Sequence, residues 1–263
     1  MERASRAALA VGIVLCALGL AGKLAGLGDR SAEPAAVLLG ALAMSLLLSL
    51  LAVAAVVGLG SSRPLERLGL GRGRLPLRVI ALLVLGVLTL SFAADASLRH
   101  GGLRDQGTLE TFDRTVSGAR GPTLFASSLV LGVAPAIGEE LFFRGLIQRG
   151  LEARFGPGIA IPLASLMFAA IHGDAVHALA ALVLGLYLGA VAHLSGGIRA
   201  AILCHAANNL VAVSVGAFGL GGVSVSWGGI LALLSATLGV LWVARRAARA
   251  GARRSTTPAG HQD

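Results

Sequence analysis

The sequence predicts an all-α, polytopic transmembrane bundle of about eight spans, with its functional site inside the bundle. Three observations predict it. The 263 residues are 56% hydrophobic and only 13% charged, whereas soluble domains are typically about 25% charged. Mean hydropathy is +0.82. Apolar runs recur along the chain, most of them near the roughly 20 residues a membrane crossing needs. The net charge of +9 and a pI near 11.4 could suggest nucleic acid. The arginines form no stripe, however. They sit in short segments between apolar runs, as membrane orientation requires, so no nucleic-acid partner is expected. Cys16 and Cys204 both lie in apolar segments and read as buried thiols, not a disulfide framework. The 37 glycines and 8 prolines suit close packing and local breaks in a membrane bundle.

Taken in order, the expected spans are 7–27, 35–59, 77–98, 122–149, 158–173, 175–194, 198–215 and 223–243. The first follows Arg3 and Arg6 and is read as a retained span, because its apolar run exceeds a signal core. A basic loop with Arg63, Arg67, Arg72, Arg74 and Arg78 follows the second. The long polar connection 99–121 holds Leu109 and Phe112, which could anchor a short amphipathic piece. Pro122 opens the fourth span, Pro135 should kink it by removing a backbone bond, and Gly138 permits close packing or a local opening. The fifth span is short. Residues 1–250 form a single transmembrane domain, with 251–263 a short disordered cytoplasmic tail. An even span count puts both termini on one side, together with the basic loop, Arg149, Arg154 and Arg199. The positive-inside rule makes that side the cytoplasm, giving a multi-pass cell-membrane protein whose site opens toward the basic face.

The chain is organised around 133–149, where Glu139, Glu140 and Arg144 interrupt an apolar run. Unpaired charge in lipid is costly, so such residues face a bundle interior or a wet cavity. Glu140 and Arg144 are spaced i,i+4 and can neutralise each other. Glu139 points about 100° away, given 3.6 residues per turn, and is left as the chemical carboxylate. Phe168 and His172 share a face in FAAIH, and His205 and Asn209 share one in HAANN. Counted at 1.5 Å per residue, Glu139 and Asn209 lie roughly 15 Å from the basic face, His205 roughly 9 Å and His172 roughly 21 Å, which a tilted or later-starting fifth span would reduce. A carboxylate, two imidazoles and a carboxamide at similar depth can activate water and hold an oxyanion. Asp174 and His177 fall at the outer mouth, His193 near the basic end, and Asn208 points away as a helix–helix hydrogen-bonding group. Cys204 points about 100° from His205, against a cysteine–histidine dyad.

EELFFR with Glu139, Glu140 and Arg144, then Phe168 with His172, then His205 with Asn209 resemble the ordered motifs EExxxR, FxxxH and HxxxN. These belong to the CAAX prenyl protease and bacteriocin-processing family of intramembrane glutamic endopeptidases. The resemblance covers about 120–215. It implies hydrolysis of a peptide bond in a membrane-associated or prenylated protein or peptide. Glu139 and His172 would hold and activate water, and His205 and Asn209 would stabilise the oxyanion. Glu140, Arg144 and Phe168 would support them. No cofactor is expected; zinc on two histidines and a glutamate is the alternative. The rival reading is a non-catalytic immunity or scaffold protein, or a proton-coupled transporter. Asn209 argues against a relay, since a carboxamide does not titrate.

Overall fold

The computed structural model describes residues 33–105 and 107–256. Among these the chain is helical throughout, with no strand. We number the helices α1 (Pro34–Gly58), α2 (Pro64–Arg67), α3 (Leu77–His100), α4 (Gly107–Val116), α5 (Gly121–Phe155), α6 (Pro157–Ala170), α7 (Ala175–Ser195), α8 (Arg199–Phe218) and α9 (Trp227–Thr256). Six of them, α1, α3, α5, α7, α8 and α9, are long and apolar enough to cross a membrane. The expected eight is thus not what the described residues show. The span at 7–27 lies outside them. The fifth expected span is α6, whose 14 residues reach only about 21 Å at 1.5 Å each. α9 continues to Thr256; the rest of the expected tail lies outside the described residues.

The starts are set by proline: Pro34, Pro64, Pro122 and Pro157 each occupy the first turn of a helix, where a missing N–H costs nothing. The apolar faces then sort themselves. Leu48, Ala52, Phe142, Phe143, Ile147, Leu151, Ala160, Ala164 and Phe168 form one core between α1, α5 and α6. Leu83, Val87, Tyr187, Leu188, Val191, Ala201 and Cys204 form another between α3, α7 and α8. The outward leucines, such as Leu39, Leu50, Leu231 and Leu238, remain exposed where a bilayer would cover them.

The two ends of the bundle are distinct. At one end Arg74 N donates to Ser195 O at 2.8 Å and Ile198 N to Gly69 O at 2.9 Å. This ties the basic loop to the α7–α8 turn. At the other end Arg99, Arg104, Asp95 and Asp113 pair among themselves, and Arg120 Nη1 donates to Ala217 O at 2.5 Å.

The long helix α5 is not regular. It widens to π-helical i→i+5 bonding at Ser128–Val133 and at Glu140–Gln148. Such widened turns concentrate at functional sites, and both charged motif residues that pair, Glu140 and Arg144, lie in the second. Gly138 lets α5 press on α1, because a Cβ there would overlap the Ser45 carbonyl. Against α7, α5 forms a polar ladder with four-residue rungs. Arg144 Nη2 donates to Gly185 O at 3.1 Å, and Gln148 Nε2 donates to Gly189 O at 3.0 Å. Glu152 Oε1 lies 3.3 Å from His193 Nδ1. The glycines are needed here: a Cβ on Gly189 would stand 2.8 Å from Gln148 Oε1.

Candidate active site

The first layer of the site follows from the two adjacent glutamates. Glu140 is fully buried, at 0% exposure, and a carboxylate there requires donors. Its Oε1 receives Arg144 Nη1 at 2.7 Å and lies 3.0 Å from His205 Nδ1. Arg144 is 1% exposed. It also donates to Gly185 O and stacks over the Phe168 ring at 4.4 Å. The i,i+4 pair expected from sequence is therefore present and enclosed. Glu139 is on the other side of His205, with Oε2 3.7 Å from Nε2, and retains 13% side-chain exposure. It lines the cavity; Glu140 does not. One imidazole thus stands between two carboxylates of different character.

Phe168 is the hub that sets the histidines. Its ring meets Phe143 at 5.4 Å, His172 at 4.6 Å and His205 at 5.9 Å. His172 caps the end of α6, with Nδ1 2.7 Å from Phe168 O. A carbonyl oxygen only accepts, so Nδ1 carries the proton and Nε2 is left as an acceptor. His205 follows the same logic at Nδ1, since a carboxylate also only accepts.

Asn209 is placed by a proline on a different helix. Pro135 has no N–H to offer the carbonyl of Leu131 four residues back. Asn209 Nδ2 reaches that carbonyl at 3.4 Å, as neighbouring helices do for proline-freed groups in membranes. Asn209 Oδ1 accepts from Asn208 Nδ2 at 3.1 Å. Asn208 in turn accepts from Ser91 Oγ on α3, so it joins helices as expected. Cys204 is fully buried and free.

These groups share one cavity of about 310 Å³, lined by Glu139, His172, His205 and Asn209. The volume lies at the lower end of the range usual for small-ligand pockets. Leu90, Leu98, Leu109, Phe112, Val183 and Leu184 form its apolar wall. The lining continues to Asp95 and Arg104, away from Arg149 and Arg199. The expected opening toward the basic face is therefore not seen: Arg144 and Gln148 fill that side, locked onto α7. α4 realises the short amphipathic piece and covers the cavity with Leu109 and Phe112.

α4 is fastened by one carboxylate. Asp174 Oδ1 caps α7 through Val176 N at 3.0 Å and His177 N at 2.9 Å. Its Oδ2 caps α4 through Thr108 N at 2.8 Å and Thr108 Oγ1 at 2.5 Å. Gly107, at φ +63, makes room, since a Cβ would stand 2.6 Å from Asp174 Cγ. Burial would raise the Asp174 carboxyl, but the bonds from Thr108 and His177 outweigh it and hold the group below the ordinary carboxylate range. At the mouth, burial opposes the Arg104 charge, yet Asp113 and Asp95 hold the guanidinium above its ordinary value.

Two contributors escaped the sequence reading. Gln148 continues the 140–144 spacing by four, a usable signal. Thr108 carries no signal: its role exists only once α4 meets the turn after His172. Among the described residues, no group of three or more His, Cys, Asp or Glu side chains is arranged to hold a metal ion.

Residues 121–211 match the family model described as Type II CAAX prenyl endopeptidase Rce1-like. No curated protein and no solved structure gives a significant match. The matched stretch contains every motif residue of the site, from Glu139 to Asn209, and excludes α3 and α4. Over residues 121–211, which hold the whole motif set, the chain is therefore similar to the Rce1-like CAAX protease family.

Proposed function

We propose that the chain is an intramembrane endopeptidase that hydrolyses a peptide bond of a membrane-associated protein or peptide. The observation that carries this reading is the division of labour around His205. Glu140 is enclosed and bonded to Arg144 and His205, while Glu139 faces the cavity beside His172 and Asn209.

In this mechanism Glu139 and His172 Nε2 hold a water against the scissile carbonyl. Glu139 takes a proton from the water as its oxygen bonds to the carbonyl carbon. The oxyanion is held by the Asn209 amide and by His205 through Nε2, the ring edge that faces Glu139. The oxyanion collapses, the C–N bond breaks, and the amine leaves with the proton carried by Glu139. Glu140, Arg144 and Phe168 orient His205 and His172. No step requires a metal; zinc on Glu139, His172 and His205 would need those side chains to draw together, since they form no metal-holding group among the described residues. The active chain spans the membrane with both termini cytoplasmic, by the distribution of arginine.

The test is product profiling of membrane peptides with purified wild type and Glu139→Gln. The expected result is a defined set of cleavage products with wild type and none with the variant. Cleavage that survives in Glu139→Gln refutes the assignment. The same products show whether the substrate is prenylated.

A further inference from the structure

His177 lies outside the motif residues, yet its ring lines the same cavity as Glu139 and His172. Its centroid is 4.7 Å from that of His172, at 72°. Its Nδ1 lies 2.8 Å from Thr108 Oγ1. A threonine hydroxyl has one proton. That proton is committed to Asp174 Oδ2, 2.5 Å away, because an ionised carboxylate can only accept. Toward His177 the hydroxyl is therefore the acceptor, and Nδ1 carries the hydrogen. Nε2, on the ring edge away from Thr108, is left with a lone pair. No hydrogen bond of Nε2 is seen among the described residues.

We propose that His177 is a substrate-binding residue: its Nε2, fixed as an acceptor by the Asp174–Thr108 relay, takes a hydrogen bond from a backbone N–H of the peptide beside the scissile bond. The inference rests on the endopeptidase reading and extends it. A peptide reaching Glu139 past α4 must bring main-chain N–H groups into a cavity whose walls are largely apolar. An N–H desolvated there without an acceptor is costly. The other acceptors nearby already hold a partner or a role: Asp95 pairs with Arg99 and Arg104, and Glu139 is assigned to the water. Asn209 Oδ1 is taken by Asn208, Leu131 O by Asn209, and Phe168 O by His172. His172 Nε2 is assigned to water. His177 supplies the missing acceptor, and the relay keeps it from presenting N–H instead.

The test is an N-methyl scan of a peptide that wild type cleaves. A net hydrogen bond of about 1 kcal/mol corresponds to roughly five-fold. Methylation at one position flanking the cut should raise KM about five-fold in wild type by this measure. In His177→Phe the parent peptide should already show that higher KM, with kcat moving less, and the methyl should add nothing further. Phe fills the same space, so a purely steric penalty of the methyl would persist. His177→Gln, which keeps an acceptor, should recover part of the discrimination. Thr108→Val keeps the ring, frees its tautomer, and should weaken the discrimination; it decides the matter if His177→Phe does not fold. A methylation penalty that is the same in wild type, His177→Phe and Thr108→Val at every position overturns the proposal while leaving the endopeptidase intact. Absence of any cleavage by wild type refutes the endopeptidase reading, and the role of His177 with it.

Discussion

Removing Glu140 separates stability from chemistry at this site. Arg144 is 1% exposed; Glu140→Ala leaves it Gly185 O and the Phe168 ring but removes its only carboxylate within ion-pair distance among the described residues. His205 loses its Nδ1 acceptor as well. Breaking a buried pair from one side costs about 3–5 kcal/mol. At about 2–4 °C per kcal/mol for a chain of this size, the melting temperature should fall by roughly 6–20 °C. Glu139→Ala removes a group 3.7 Å from His205 Nε2 and 13% exposed. With no short hydrogen bond lost, it should cost less than about 1 kcal/mol, or under roughly 4 °C. Both variants should lose cleavage. The assay is intrinsic-fluorescence melting in one detergent beside a cleavage assay. Glu140→Ala/Arg144→Met should regain stability without regaining activity, since an apolar replacement of a buried ion pair is tolerated. Equal destabilisation by the two single variants would refute the assigned division of roles.

Asp174→Asn should lower the melting temperature near neutral pH, because one carboxylate caps two helices and caps are worth about 1 kcal/mol each. The folded carboxyl sits below its ordinary value, so its stabilisation is complete above about pH 4 and fades as pH falls further. The gap between wild type and Asp174→Asn should therefore close on acidification; a gap that widens contradicts the dual cap. Treatment with a zinc chelator should leave cleavage unchanged, and metal analysis of the purified protein should find no stoichiometric zinc. In a background free of Cys16 and Cys204, Gly102→Cys should react with an impermeant maleimide in intact cells and Arg154→Cys only after permeabilisation. The reverse pattern inverts the topology and moves the substrate pool.

The six long helices α1, α3, α5, α7, α8 and α9 were legible because each contains a long apolar run, whereas the four-residue α2 was not expected. The Glu140–Arg144 pair was legible too, because i,i+4 spacing is local geometry. The depth count also placed Glu139, His205 and Asn209 at levels where they meet. Three things were not legible. The span count depends on α6, whose composition is that of a span and whose length is not. The carbonyl that Asn209 reaches is created by Pro135, 74 positions away, so neither motif alone reveals it. The side on which the cavity opens depends on what fills the other side. Gln148 reads as a polar residue at a helix end until α7 is laid beside it, with Gly185 and Gly189 at matching intervals.

That matching interval limits how the protein can move. α5 and α7 meet at 144/185, 148/189 and 152/193, so their relative position is indexed in steps of four residues. A slip by one residue would bring side chains to the Gly185 position, against Ser165 and Phe168, and to the Gly189 position, against Gln148 and Ile161, and would unseat every rung together. Such a seam behaves as a ratchet with widely spaced teeth, not as a sliding surface. Glu139, Glu140 and Arg144 therefore travel with α7 as one body. The compliant wall is α4, ten residues long and pinned at its first turn by Asp174. On the endopeptidase reading, a peptide too large for the resting cavity would gain its space by unpinning α4 from Asp174, not by parting α5 from α7.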